Sequence, residues 1–284
     1  MPRALRIAAY VSLAVVVVAA AVVGAFVYKV KHGFPRYETA VPAIDFPAEA
    51  PAVLLFSKTT AFRHEEAIAA AKAYYADWAG ANGVFLYDTE AGGVFTPELL
   101  ARFDLVIFNN ATGPGLTDEQ RAALVAYVEG GGGLLAIHGA GDDSRAWPWW
   151  IDNVVGATFS HHPMGELQFQ SARVRRVAGA DLPPGMPTDF EHVEEWYVFD
   201  GQPGAHGFET LYAIDGETID PNGNFLWIGD KDCGMGAVHP VAWRRGVGAG
   251  RTAYTSLGHL PEAYGEAEVR ALLEGLGAWA GGGF

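Results

Sequence analysis

The sequence has 284 residues, of which 50 % are hydrophobic and 12 % aromatic, a composition that fits one or two folded domains and excludes a largely disordered chain. Thirty-three acidic against nineteen basic residues give a net charge of −14, which argues against nucleic acid as a partner. The single cysteine, Cys233, excludes an intrachain disulfide and a metal site built on paired thiolates.

An uncharged apolar run extends from Ile7 to Tyr28. Its 22 residues would form a helix of about 33 Å, enough to cross a hydrocarbon core of about 30 Å. We therefore expect a transmembrane anchor or uncleaved signal over residues 7–28, with residues 1–6 in the cytoplasm. This predicts a single-pass protein of the cytoplasmic membrane whose domain faces the periplasm or exterior. Basic residues flank both ends of the run, so charge alone does not set its orientation.

Residues 29–51 contain four prolines and little periodicity, a composition typical of an extended tether. From Ala52 onward, strand and helix patterns alternate within one predicted domain, residues 52–284. The apolar runs that indicate buried strands are Ala52 to Ser57, Val84 to Thr89, Leu105 to Asn109 and Leu134 to His138. Helices are predicted from Glu65 to Ala81, after the Thr96-Pro97 cap, and from Asp118 to Glu129. The alternation predicts an α/β fold with a doubly wound, mostly parallel, flavodoxin-like sheet.

The alternation stops between about Trp147 and Asp232, where we expect an irregular insertion. Within it, alternating polarity predicts strands from Gln168 to Val177 and from Phe208 to Ile214. Regular structure then resumes with the last predicted elements, which are strands from Pro240 to Arg244 and Arg251 to Ser256 and a helix from Pro261 to Ala280.

Three histidines follow predicted strands. His64 comes after the first strand, His138 after the fourth and His259 after the last. If these strands are parallel, their carboxyl ends share one edge of the sheet, where α/β proteins gather functional groups. Taken singly, each histidine also fits an ordinary structural role, whereas together they predict a site.

A second cluster combines carboxylates with aromatic rings in Glu194-Glu195-Trp196-Tyr197. Such a mixture suits a sugar, because carboxylates bind its hydroxyl groups and aromatic rings stack on its faces. The alternative is a strand with acidic residues on its surface.

Seven short strings, in order along the chain, resemble the ThuA-like family of trehalose utilisation and cover Ala52 to Ala280. They are Ala52 to His64, Gly131 to His138, Trp147-Pro-Trp, Phe159-Ser-His-His162-Pro, Glu195-Trp-Tyr197, His239-Pro-Val-Ala-Trp243 and Gly250 to His259. The resemblance implies a class I glutamine amidotransferase-like fold. That superfamily carries a cysteine nucleophile where this sequence has His138-Gly139-Ala140. Amidotransferase chemistry is therefore not expected, and Cys233 lies in a stretch that departs from the family pattern.

The resemblance further implies a role in the catabolism of disaccharides, including sugars oxidised at carbon 3. The expected ligand is a small carbohydrate, and a sugar 3-dehydrogenase is an expected partner in the same reaction sequence. Oligomeric state stays open.

For such a substrate the residue types suggest isomerisation, elimination or hydrolysis by acid–base chemistry. We assign His138 as the base, Glu195 as partner acid or orienter, and His64 and Arg63 as stabilisers of an oxyanion, with His259 in the same pocket. The residues expected to contact substrate are Arg63, His162, Trp196, Tyr197, His239, Trp243 and Gly139.

Two alternatives remain open from the sequence. The same histidines and glutamate would suit zinc or manganese in a metal-dependent hydrolase, although no HxH or HExxH pair supports this. The domain would otherwise be a membrane-tethered carbohydrate-binding or sensor module without turnover.

Overall fold

A computed structural model describes residues 2–141, 147–220 and 235–283, so Cys233 lies outside the described part. The chain begins with helix α1, Arg3–His32, which contains the whole predicted span and has no buried residue. The mean hydropathy of its apolar window is 2.6, and by length and composition the helix is able to cross a membrane. Its last turn carries Lys29, Lys31 and His32.

Within the described residues, the folded domain is built on a sheet of nine strands, with a separate pair of short strands. The strands are β1 (Ala52–Phe56), β2 (Phe85–Thr89), β3 (Leu105–Asn109), β4 (Gly133–Ile137), β5 (Phe159–His161), β6 (Gln170–Arg176), β7 (Asp189–Glu194), β8 (Val198–Phe199), β9 (Glu209–Asp215), β10 (Val238–Val247) and β11 (Gly250–Thr255). The helices are α2 (Glu65–Asn82), α3 (Pro97–Leu100), α4 (Asp118–Glu129), α5 (Pro148–Trp150) and α6 (Ala267–Ala280). The nine strands lie in the order β2-β1-β3-β4-β11-β10-β9-β6-β7.

Five neighbouring strands, from β2 to β11, run parallel. Alternate residues of β1 enter two separate cores, with Val53 and Leu55 on one face and Leu54 and Phe56 on the other. Helices α2 and α6 cover the first face, and α3 and α4 cover the second. This two-sided burial explains why these strands are recognisable in the sequence as short continuous apolar runs.

The remaining four strands are antiparallel to their neighbours. The predicted strands near Gln168 and Phe208 are present as β6 and β9, and both belong to the main sheet. Strands β5, β7 and β8 were not predicted. In β7 only alternate residues are buried, and the exposed ones include Asp189 and Glu191.

Residues 33–51, here called the strap, contain no helix or strand and lie along the flank of the domain. Near the start of the strap, the Phe34 N–H donates to the carbonyl oxygen of Thr60 at 3.1 Å. Further along the strap, the ring of Phe46 packs against those of Phe85 and Phe103, at centroid distances of 5.4 and 5.0 Å respectively. The strap is therefore extended but in contact with the domain.

Candidate active site at the carboxyl edge of the sheet

The parallel strands end at one edge of the sheet, here called the upper edge. His138 directly follows β4, His259 lies four residues beyond β11, and His64 caps the N-terminus of α2 after β1. Strand β7 runs in the same direction as the parallel strands, so Glu195, the next residue, joins them there. The shared strand direction thus brings together groups that are distant in sequence.

One ligand atom from each of His64, His138, Glu195 and His259 lies within 4.8 Å of the others, and we call these four residues the histidine–glutamate cluster. His138 Nε2 is 3.1 Å from His259 Nδ1. Glu195 Oε2 is 2.9 Å from His259 Nδ1 and 3.6 Å from His138 Nε2. Four of the predicted site residues are thus mutual neighbours.

The hydrogen bonds of His138 define which of its ring nitrogens faces the cluster. Its Nδ1 lies 2.6 Å from the carbonyl oxygen of Ser256, which only accepts, so Nδ1 carries a proton. In the neutral ring Nε2 is then the lone-pair atom, and it faces the cluster. The backbone of His138 has a φ of 43°, in the left-handed region that side-chain-bearing residues rarely adopt. The strand therefore ends in a sharp turn at the candidate base.

Glu195 is almost fully buried, and the side chains of Gln168, His138, His162 and His259 surround its carboxylate. Gln168 Nε2 donates to Oε1 at 2.7 Å, and His162 Nδ1 is 3.1 Å from the same oxygen. Burial alone would raise the pKa of Glu195, but the neighbouring imidazoles of His138 and His259 and the charge of His162 outweigh it and hold the pKa far below its usual range. Glu195 is therefore a carboxylate, which suits the predicted orienting role better than that of an acid.

The pKa values of two histidines in the cluster, His64 and His259, are shifted in opposite directions. Burial, followed by the charges of His138 and His259, lowers the pKa of His64 well below its ordinary value. In His259, burial is outweighed by the hydrogen bond and charge of Glu195 and by the charge of Glu194, so its pKa is raised. The site thus combines an imidazole of lowered pKa with one of raised pKa, the separation that acid–base catalysis uses.

Glu194 supports the cluster from behind, a role that the sequence did not reveal. Its Oε2 accepts the backbone N–H of Gly258 at 2.6 Å and that of His259 at 3.3 Å. Burial opposes its ionisation, but the hydrogen bond from His192 and neighbouring positive charges lower its pKa. The only sequence signal was its place beside Glu195.

Tyr197 and Gly139 close the cluster from two sides. The Tyr197 ring lies over His138 at a centroid distance of 4.1 Å, and its hydroxyl is 3.5 Å from His64 Nε2. A Cβ built on Gly139 would lie 2.9 Å from His64 Nδ1, so a side chain at this position would displace that histidine. Gly139 itself donates its N–H to Asn110 Oδ1 at 3.2 Å.

Two of the histidines at this site, His162 and His259, reach the surface. His259 retains 16 % of its side-chain surface and His162 retains 24 %, whereas His138 retains none. Burial lowers the pKa of His162 despite its contact with Glu195. A ligand would therefore meet His162 and His259 before His138.

Other residues predicted to contact substrate lie elsewhere. Trp196 and Trp243 have no exposed surface and belong to the two cores, so they do not offer a stacking face for a sugar as predicted. His239 is buried behind Tyr197, with Nε2 2.9 Å from the Tyr197 carbonyl oxygen, and supports that residue from the back. Arg63 faces outward, where its guanidinium pairs with Glu90 at 2.9 Å and with Glu65. The role predicted for Arg63 at an oxyanion has no support in this arrangement.

The cluster has donors suited to a divalent metal ion. A tetrahedral zinc ion with bonds of about 2.0–2.1 Å holds its donors about 3.3 Å apart, close to the 2.9, 3.1 and 3.6 Å found between His259, His138 and Glu195. Nδ1 of His64 is buried without a hydrogen-bond partner among the described residues. Backbone and side-chain contacts behind the donors, such as Ser256 on His138, are also typical of metal ligands.

Comparison with known proteins adds a family and a fold. The family profile described as ThuA, trehalose utilisation, matches residues 52–280. A ThuA-like protein from Bacteroides uniformis aligns with a TM-score of 0.64 at 21 % identity, over 83 % of this chain and 94 % of that one. A ThuA-like protein from Parabacteroides merdae aligns with a TM-score of 0.56 at 15 % identity, over 82 % and 90 %. No curated protein sequence matches the chain.

Proposed function

The chain belongs to the ThuA family of trehalose utilisation, and from this premise we propose that it acts on a carbohydrate at the histidine–glutamate cluster. The observation that supports this most is the convergence of three histidines and one carboxylate from four separate strands. We further propose that helix α1 holds the domain on the outer side of the cytoplasmic membrane. The substrate class we propose is a disaccharide or a glycoside oxidised at carbon 3.

The proposed reaction on a 3-keto glycoside is an elimination. His138 Nε2 removes the proton from carbon 2, which is acidified by the neighbouring carbonyl group. The electron pair forms the double bond between carbons 1 and 2, and the bond from carbon 1 to the glycosidic oxygen breaks. His259, whose protonated form is favoured, gives its proton to the departing oxygen. Glu195 stays ionised and balances the charge of the imidazolium.

The assignment of His138 as base is tested with His138→Ala in the full-length protein. General base catalysis typically contributes about 10²–10⁴-fold, so we expect turnover of a 3-keto disaccharide to fall by at least about 100-fold. Ligand binding, followed by the thermal shift that the sugar induces, should persist. His206→Ala is the matched control, because His206 is exposed on a turn away from the cluster.

Several outcomes would count against this function. Unchanged turnover in His138→Ala would show that His138 is not the base. Sugar binding without turnover in the unsubstituted protein would favour a binding or sensor module. Neither binding nor turnover with any disaccharide or 3-keto derivative would contradict the carbohydrate assignment itself.

A metal-dependent hydrolase is the second candidate, and the spacing of the donors favours it specifically. His138, His259, Glu195 and His64 would hold the ion, which would supply an activated water. Metal analysis of the purified protein separates the two candidates. Stoichiometric zinc or manganese that is lost in His259→Ala would support a metal site, whereas full activity after dialysis against a chelator would support metal-free acid–base chemistry.

A further inference from the structure

Exposed apolar side chains concentrate at the upper edge of the sheet. Outside α1, eight large apolar residues of the described chain are exposed. Six lie at this edge: Phe34, Phe62, Leu167, Phe169, Val193 and Val238. The other two, Tyr37 and Val41, lie further along the strap, which begins with Gly33 and Phe34. Contiguous exposed apolar surface on a folded domain marks a contact surface more often than chance exposure does.

Two of these residues lie directly beside the histidine–glutamate cluster. The ring of Phe62 is 4.9 Å from that of His64, and the ring of Phe169 is 5.3 Å from that of His259. Phe62 is 46 % exposed and Phe169 is 41 % exposed. Exposed apolar rings thus border a polar site, although the substrate class proposed for that site is itself polar. We call the six exposed apolar residues at the upper edge the apolar rim.

Helix α1 ends at the same edge. Gly33, which terminates it, packs against Thr60 so closely that a Cβ on Gly33 would lie 2.8 Å from Thr60 Oγ1. Thr60 is four residues before His64, which limits their separation to about 15 Å. Tyr28 in the last turns of α1 contacts Phe34 at a ring distance of 5.4 Å. The end of the helix and the mouth of the site are therefore neighbours.

The strap contacts the domain directly after this point. Glu38 forms an ion pair with Lys58, whose side chain is buried. The backbone carbonyl oxygen of Glu38 accepts a hydrogen bond from Gln120 Nε2 at 2.8 Å. The Ala40 carbonyl lies so close to Gly93 that no side chain fits there. These contacts hold the first residues after α1 against the domain.

The residues at the end of α1 are those that proteins place at a membrane–water boundary. Tyr28 is aromatic, and Lys29, Lys31 and His32 form a basic last turn. With a net charge of −14, the chain is not drawn to an anionic surface by its overall charge. Contact with lipid would therefore rest on the apolar residues, whose transfer into the headgroup region is favourable.

We propose that the upper edge of the domain rests on the bilayer that α1 spans, with Phe34, Phe62 and Phe169 among the lipid headgroups. The occupant of this surface is lipid, because the apolar rim begins where a helix able to span the bilayer ends. The proposal rests on the proposed anchoring by α1 and is independent of the chemistry proposed for the cluster.

The test uses the full chain in phosphatidylcholine nanodiscs, with Cys233 replaced by Ser and one new cysteine per protein labelled with bimane. The rim positions are Phe62→Cys, Phe169→Cys and Val238→Cys. The matched control is Ala249→Cys, exposed in the β10–β11 turn at the opposite edge. Lipids carrying a nitroxide on the headgroup should quench the rim labels several-fold more than the control label. Thermal unfolding verifies that each variant is folded, and three separate rim positions keep the result independent of any one of them.

One further position separates failure of this proposal from failure of the anchoring. Val16→Cys, in the middle of α1, should be quenched by lipids with the nitroxide on the acyl chain. If Val16 is quenched and the rim labels match Ala249, the domain stands away from the bilayer and the proposal is wrong. If Val16 is not quenched, the anchoring on which it rests is wrong as well.

Discussion

Glu194 fixes the backbone of His259 through one carboxylate oxygen, which accepts the His259 N–H at 3.3 Å and that of the preceding Gly258 at 2.6 Å. The next residue, Glu195, meets the imidazole of the same histidine at 2.9 Å. Two consecutive carboxylates thus hold one histidine, the first by its main chain and the second by its ring. This makes Glu194 a positioning residue whose effect on the site passes through His259.

We expect Glu194→Ala to lower the free energy of unfolding by about 1–3 kcal/mol, because it leaves buried N–H groups without an acceptor. Glu194→Gln should recover part of this loss, since its amide oxygen still accepts. Both variants should lower the pKa of His259, because the Glu194 charge helps to raise it. Urea unfolding and an NMR titration of the His259 ring measure the two effects. An unchanged His259 pKa in both variants would show that Glu194 is structural only.

Gly139→Val is expected to abolish ligand binding or turnover while the domain still folds. The added side chain would begin 2.9 Å from His64 Nδ1 and 3.2 Å from Asn110 Oδ1, so His64 must move out of the cluster. Gly246→Val is the matched control, because a Cβ there meets nothing within 4 Å. Sugar binding and melting temperature are measured for both. A normal melting temperature and normal activity in Gly139→Val would show that the turn after β4 is not part of the site. They would also count against His138 as the base.

Acid should destabilise the domain through His239. Burial lowers the pKa of His239 to about 4, against an ordinary value of 6.5, so the unfolded chain binds the proton more readily. Stability from this residue is complete above about pH 6.5 and is lost as the pH falls toward 4, by about 2.5 kcal/mol at pH 4.5. Urea unfolding at pH 7 and pH 4.5 should show a smaller difference in His239→Gln than in the unsubstituted protein. Equal differences would mean that His239 is not held neutral.

The full-length chain should sediment with membranes and remain there after alkaline carbonate washing. The reason is the 30-residue helix α1, no residue of which is buried against the domain. Protease added to the outer side of the cytoplasmic membrane should reach the domain. Recovery of uncleaved full-length protein in the soluble cytosolic fraction would contradict the anchoring.

The parallel half of the fold could be predicted from the sequence because its signals are local. Strands such as Leu105–Asn109 are buried on both faces and form short apolar runs, and Thr117 caps α4 with a complete capping box. Strand β7 could not be predicted in the same way. Two of its three buried residues, His192 and Glu194, are polar, so inward and outward positions look alike in the sequence.

The candidate site was predictable only where strand ends carry it. His138 and His259 follow strands whose direction could be inferred, and their meeting follows from sheet geometry. Trp196 shows where this reasoning fails, since an aromatic ring beside a carboxylate suggests a sugar site but its indole N–H donates to the Gln170 carbonyl oxygen at 2.8 Å inside the core. The role of Glu194 depends on backbone groups more than sixty residues away, and no local pattern records such a contact.

The strap also determines how far the domain lies from helix α1. Its nineteen residues would reach about 60 Å if they were stretched between α1 and β1, far enough for the domain to sample a wide volume around the end of α1. They are instead laid down the flank, from Thr60 at the upper edge to Pro51, whose carbonyl accepts the Phe85 N–H near the start of β2. Packing against the domain thus keeps the strap from extending to its full length. How far the upper edge of the sheet lies from helix α1 is consequently set by contacts such as that between Glu38 and Lys58, and not by how many residues the strap contains.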